Sequence, residues 1–193
     1  MTRLQTPCVI MAGGKSSRMG KDKALLPFGN FKTLTQFQLD RLSFFFESLH
    51  VSTKTRDKFD FNASFIEDVK TYQQHSPLVA LLSVLRHFNE PVFVLSVDTP
   101  FVTRDVFEKL YEAMRTSNAD AIIARSPSMS HQLCAIYSPK ITDKIETMLN
   151  TNEHKIRILL EKINTVFVDF DGENVFFNLN RPEDYEVARK KLG

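Results

Sequence analysis

Short apolar runs rich in β-branched or aromatic residues alternate along this chain with stretches whose apolar residues recur at three-and-four spacing. That alternation restricts the possible folds more than any other feature. The runs are Cys8-Val9-Ile10-Met11, His50-Val51-Ser52, Phe65-Ile66, Val92-Phe93-Val94-Leu95, Ala121-Ile122-Ile123, Leu133-Cys134-Ala135-Ile136-Tyr137 and Val166-Phe167-Val168, most of which read as strands. Between them, Leu34, Phe37, Gln38 and Arg41 with Phe45, and Leu78, Leu81, Leu82 and Leu85, place an apolar stripe along one helical face. Parallel neighbours need long right-handed crossovers, so the expected class is α/β: a three-layer, doubly wound, mostly parallel sheet with helices on both faces. Ser138-Pro139 reads as a helix start, and Arg181-Pro182-Glu183-Asp184 opens a last helix toward Leu192. The polar segment from Asn150 to Lys155 carries no assignment.

At 193 residues, without a linker-like stretch or a repeat, the chain is expected to form one domain, 1–193. Its formal net charge of +2, spread among acids, argues against nucleic acid as a partner. The start of the chain lacks the tripartite pattern of a signal peptide and no apolar run approaches spanning length, so no membrane role and a cytoplasmic location are expected. Cys8 and Cys134 lie far apart without metal-ligand spacing and read as buried thiols. Phe44-Phe45-Phe46 and the other phenylalanines, in a chain with no Trp, read as core rather than as an aromatic binding box.

The first run is followed by Met11-Ala-Gly-Gly-Lys-Ser-Ser-Arg-Met-Gly-Lys-Asp-Lys23. Gly13-Gly14 allows a sharp turn and brings bare backbone N–H groups near an anion, while Lys15, Arg18 and Lys23 supply positive charge. The pattern is a phosphate-binding loop, yet it fits neither the Walker spacing nor the dinucleotide fingerprint.

In an open α/β sheet, ligands sit beyond the carboxyl ends of the strands, so polar residues directly after strands carry the most weight. Besides the loop, Glu67-Asp68 and Asp98-Thr99-Pro100 occupy such positions. An acid ending a nearly all-apolar strand is poorly solvated unless a cation or donors sit beside it. Mg²⁺, which prefers few carboxylates, waters and phosphate oxygens, would account for Asp98. The other reading makes Asp98 or Thr99 a helix cap, although Thr103 is better placed for that.

The loop resembles the glycine-rich signature of nucleotidyltransferases that activate small molecules. Its Gly-Gly pair and Arg-Met-Gly-x-Asp-Lys tail are most similar to the molybdenum cofactor guanylyltransferase family. The resemblance implies that Met11, Ala12, Gly13, Gly14, Lys15, Lys23, Asp68 and Asp98 bind GTP. It also implies that Asp98 holds Mg²⁺, and that Arg18, Lys23 and Asp98 carry the chemistry. Asn178-Leu179-Asn180-Arg181-Pro182 resembles the family's Asn-x-Asn-x-Pro motif, whose paired amides can recognise a pterin edge. Asn178, Asn180 and His131 are therefore the expected acceptor contacts, with Asn180 as cap of the final helix and a structural His131 as the alternatives.

The implied reaction transfers GMP from GTP to the terminal phosphate of molybdopterin. The implied partners are GTP and the molybdenum cofactor, then cofactor-inserting chaperones or apo-molybdoenzymes. Positioning and charge neutralisation dominate such a transfer, because a phosphate nucleophile is already anionic near neutral pH. Two departures bear on nucleotide choice. The family's Gly-Pro-Leu-x-Gly stands here as Ser76-Pro77-Leu78-Val79-Ala80, and Ser52-Thr53-Lys54-Thr55 lacks the Asn expected after the second strand. A CTP- or sugar-phosphate-dependent nucleotidyltransferase and a non-catalytic nucleotide or cofactor carrier are the competing functions.

Overall fold

The structure, a computed structural model, describes residues 2–14, 22–74 and 76–191. Among the described residues one sheet contains β1 (Cys8–Met11), β2 (Leu49–Thr53), β3 (Phe65–Glu67), β4 (Val92–Ser96), β5 (Ala121–Arg125), β6 (Ser130–Tyr137) and β7 (Thr165–Asp169). Its order is β3-β2-β1-β4-β6-β5-β7. Pairing is parallel except along β6, which runs antiparallel to β4 and β5. The mostly parallel sheet expected from the sequence is present, and all seven apolar runs lie in strands.

The helices are α1 (Leu34–Ser43), α2 (Pro77–His87), α3 (Arg104–Thr116), α4 (Thr142–Asn150), α5 (Ile156–Leu160) and α6 (Pro182–Lys191). Alternation along each strand sorts the core into two layers. Cys8 and Ile10 of β1 pack with Leu34, Leu42, Phe107, Leu110 and Ala188, from α1, α3 and α6. Val9 and Met11 pack on the opposite face with Leu78, Leu81, Ile145 and Leu159, from α2, α4 and α5. Each fully buried leucine of α2 contributes about 1.5–3 kcal/mol by leaving water. The phenylalanines behave as core: Phe46, Phe93 and Phe107 are buried in one edge-to-face cluster, although Phe44 points outward.

Local chemistry explains the helix starts. Thr33 accepts the Gln36 N–H at 3.0 Å, and Ser76 accepts that of Val79 at 3.3 Å just ahead of Pro77. Ser138 and Pro139 open a 3-10 turn, Pro139–Ile141, that leads into α4. Thr103 precedes α3 as expected but makes no capping bond with its side chain. The unassigned segment closes α4 with Asn152 in the left-handed region, φ 60°, and leads into the short helix α5, which the sequence reading did not assign.

Candidate active site

The strand order reverses between β1 and β4, and this is where an open α/β sheet opens a crevice at its carboxyl edge. A cavity of about 410 Å³ lies there. Met11, Ala12, Gly13 and Gly14 line it after β1, Lys54 after β2, Asp68 after β3, and Val97 and Asp98 after β4. Because β6 runs the other way, its beginning reaches the same edge and adds Leu133. Asp22 and Lys23, from the far stem of the glycine loop, and Ser76, Pro77 and Ala80, from the start of α2, complete the wall. Of the expected loop residues, Lys15 and Arg18 lie outside the described residues.

Asp98 follows the buried strand β4, and its carboxylate is satisfied on both oxygens. Ser96 donates its hydroxyl to Oδ1 at 2.6 Å, and the Lys23 ammonium lies 3.1 Å from Oδ2. The side chains of Lys23 and Asp98 are only 14% and 16% exposed, so their attraction is less screened than that of a surface pair. Lys23 also donates to Asn180 Oδ1 at 3.1 Å. The signature lysine, the strand-end acid and one amide of the C-terminal motif thus meet in one group.

Leu179 between the two asparagines is buried and both asparagines are exposed, as the alternation predicts. Of the two, Asn180 takes the Lys23 ammonium through its side-chain oxygen. Asp184, in the first turn of the final helix, accepts the N–H groups of Asn180 and Arg181 and fastens the motif to that helix. His131 stands at the same sheet edge beside the cavity rather than in its lining. Its Nε2 lies 2.9 Å from Ser126 Oγ, and its ring stacks on Phe176 with centroids 4.1 Å apart. Burial lowers its pKa, opposed by Glu173.

Asp68 is held by its backbone N–H on the Thr53 carbonyl at 3.0 Å, while its Oδ1 is buried without a hydrogen-bond partner. Burial pushes its pKa up to about 6 against the opposing influence of Lys54 and Lys58. Asp68 lines the cavity, but this Oδ1 is covered, so a donor brought by a ligand would meet it only after the side chain turns.

The sequence reading missed Lys58. Its ammonium donates to the Ala12 carbonyl and to Asp22 Oδ2, both at 2.7 Å, tying together the two stems of the glycine loop. Asp22 in turn accepts the Ala24 N–H at 3.0 Å, starting the 3-10 turn Lys23–Leu25 that carries Lys23. Neighbours do not force the glycines. A Cβ built on Gly13 would meet Thr53 and Lys54 backbone at 3.7 Å, ordinary contact, and one on Gly14 would meet nothing within 4 Å.

Among the described residues no group of three or more His, Cys, Asp or Glu side chains is placed to hold a metal. A single carboxylate at the cavity wall, that of Asp98, meets the sparse requirement of Mg²⁺, which completes its shell with waters and phosphate oxygens, although here the Lys23 ammonium holds one of the carboxylate oxygens.

The sheet order and the cavity at the carboxyl edge define a doubly wound α/β fold with a ligand crevice, and residues 8–166 match the family model of the MobA-like NTP transferase domain, which puts the chain among the nucleotidyltransferases. The chain is 44% identical over 186 residues, 96% of either chain, to a protein of Campylobacter jejuni strain RM1221 named molybdenum cofactor guanylyltransferase. A protein of the same name from Helicobacter pylori strain G27 is 30% identical, the match covering 94% of this chain and 90% of that one. The chain belongs to the molybdenum cofactor guanylyltransferase family. The fold agrees: the molybdopterin-guanine dinucleotide biosynthesis protein A of Archaeoglobus fulgidus superposes with a TM-score of 0.83 at 25% identity, covering 96% of this chain and 98% of that one.

Proposed function

We propose that this chain transfers GMP from GTP to the terminal phosphate of molybdopterin, forming molybdopterin guanine dinucleotide and pyrophosphate. Family membership supports the activity, and the grouping of Lys23, Asp98 and Asn180 at the cavity carries the reading of its residues. A terminal phosphate oxygen of the acceptor bonds to the α-phosphorus of GTP. The bond from that phosphorus to its bridging oxygen breaks, and pyrophosphate leaves with the electron pair.

In this reading the amides of Gly13 and Gly14, with Lys15, receive the triphosphate, the room beside Gly14 admitting a phosphate closely. Lys23 is held within reach of the phosphates and neutralises charge as pyrophosphate departs. Arg18 meets the acceptor phosphate or the leaving group. Met11, Ala12 and Asp68 contact the nucleoside, all three lining the cavity. Asp98 holds Mg²⁺, which supplies charge neutralisation on the phosphates. Asn178, Asn180 and His131 face the pterin. The residues form one domain, work in the cytoplasm, and pass the product to apo-molybdoenzymes or a cofactor-inserting chaperone. No helix among the described residues is long and apolar enough to cross a membrane.

The test is calorimetric titration with GTP, CTP and ATP, with and without Mg²⁺, followed by pyrophosphate release in the presence of molybdopterin. Magnesium-strengthened binding of GTP alone, with release, is the expected result. Preference for CTP moves the chain to cytidylyl transfer, a reading favoured by Ser76 and Ala80 in the cavity wall where the family has glycines. Binding without pyrophosphate release would make it a carrier.

A further inference from the structure

The inner stripe of α1 contains a residue that packing alone does not call for. Leu34, Gln38 and Leu42 follow one another at four-residue spacing and are all fully buried. A carboxamide in such a row is costly unless each of its groups is hydrogen-bonded. Those of Gln38 are. Its Nε2 donates to the Val97 carbonyl at 3.1 Å and to the Thr99 carbonyl at 3.3 Å, the two carbonyls on either side of Asp98 in the chain. Its Oε1 accepts from Arg41 Nε at 3.2 Å and Nη2 at 2.7 Å. Only one orientation of the amide satisfies both sides, because carbonyls can only accept and a guanidinium can only donate.

Arg41 is itself anchored by donating Nη1 to the Val102 carbonyl. Burial brings its pKa down to about 10, which leaves it charged at neutral pH. Across the segment, the Asp98 carbonyl accepts the Leu179 N–H at 2.9 Å. Helix α1 therefore holds the backbone of residues 97–102 from one side while the C-terminal motif holds Asp98 from the other. A leucine at position 38 would fill the stripe equally well but leave two buried carbonyls without donors.

We propose that Gln38, oriented by Arg41, is a positioning residue that fixes the Asp98 carboxylate for its divalent cation. This rests on the reading of Asp98 as the metal-holding acid. Gln38 touches neither substrate nor metal; it acts through the two carbonyls flanking that acid.

The test compares wild type with Gln38→Met, Asp98→Asn and Leu42→Ala, the last being a core change in the same stripe of α1. Three quantities are measured: Mn²⁺ affinity by the free-ion paramagnetic signal with α,β-methylene GTP present, kcat and KM for GTP, and the melting temperature. Gln38→Met is expected to weaken Mn²⁺ about tenfold and lower kcat about tenfold, with KM for GTP within about twofold of wild type. Leu42→Ala, melting at least as early, is expected to move neither. If Gln38→Met does not fold, Gln38→Glu keeps the size and the acceptor for Arg41, removes the donors, and carries the same expectation. Wild-type Mn²⁺ affinity and kcat in the Gln38 variant overturn the proposal, as does a Leu42→Ala variant that loses both in step with its melting temperature. Asp98→Asn separates the two readings. If it keeps wild-type Mn²⁺ affinity and turnover, the metal assignment fails and the proposal with it; if it loses both while the Gln38 variant does not, only the proposal fails.

Discussion

The Lys23 ammonium and Asp98 Oδ2 lie 3.1 Å apart although 75 residues separate them in the chain. The contact joins the stem of the glycine loop to the end of β4 across the crevice where the strand order reverses. Neither side chain belongs to the hydrophobic core, and each supplies charge that the proposed transfer uses. Asp98→Ala and Lys23→Ala are each expected to stay folded and lose about a hundred- to a thousandfold in turnover. Because the two act on the same phosphates, the double variant is expected to lose far less than the product of the single losses. Circular dichroism with steady-state pyrophosphate release checks this, and unchanged turnover in Asp98→Ala would refute the role given to that acid.

Lys58 gives a separable effect. Replaced by methionine, it no longer ties the Ala12 carbonyl to Asp22, so the stems of the loop lose their shared anchor. The expected result is GTP binding weaker on the order of tenfold, about 1.4 kcal/mol, with little change in kcat once GTP saturates. Titration of Lys58→Met with GTP alongside turnover at saturating GTP decides it.

Asp68 predicts a pH dependence whose sign follows from burial. Its folded pKa, about 6, lies above the ordinary carboxylate value of 3.8, so the folded state favours the protonated acid. That contribution to stability is present at low pH and is lost as pH rises through about 6. Asp68→Asn cannot ionise and is expected to lose this part of the slope, gaining in melting temperature on wild type as pH rises from about 4 to about 6 and no further above that. Parallel melting profiles for the two proteins would show that Asp68 does not feel the burial described.

Ser76 tests the departure from the family's glycine. Its Oγ accepts the Val79 N–H and lies 3.2 Å from His154 Nδ1, binding the start of α2 to the segment after α4. Ser76→Gly is expected to cost roughly 1 kcal/mol, a few tenths from the cap and the rest from the lost contact. GTP affinity should change less than about threefold, because that hydroxyl is already engaged within the protein. Denaturant unfolding and calorimetry measure the two numbers.

What the sequence disclosed follows from how far each signal is local. The strands were legible because Val92 to Leu95 or Ala121 to Ile123 are buried on both faces and so apolar throughout. The glycine loop and Asp98 were legible because they lie immediately after such strands. Lys58 was not, since it reaches the loop from a 3-10 turn, Arg56–Lys58, in a stretch without periodicity. Gln38 and Arg41 were counted in a helical stripe, and nothing local distinguishes a core amide from a polar flank residue. His131 was named only as an expected acceptor contact, and its stacking on Phe176 depends on a tertiary contact across 45 positions of chain.

Asp98 receives its support from Gln38 near the beginning of the chain and from Leu179 near its end. During synthesis the strands on which the acid sits are complete well before Leu179 emerges. A chain that stops short of the C-terminal motif would lack that second hold on the acid, together with the buried Leu179 and Ala188 of the core. On the proposed reading, competence for transfer then depends on the C-terminal motif being in place beside Asp98.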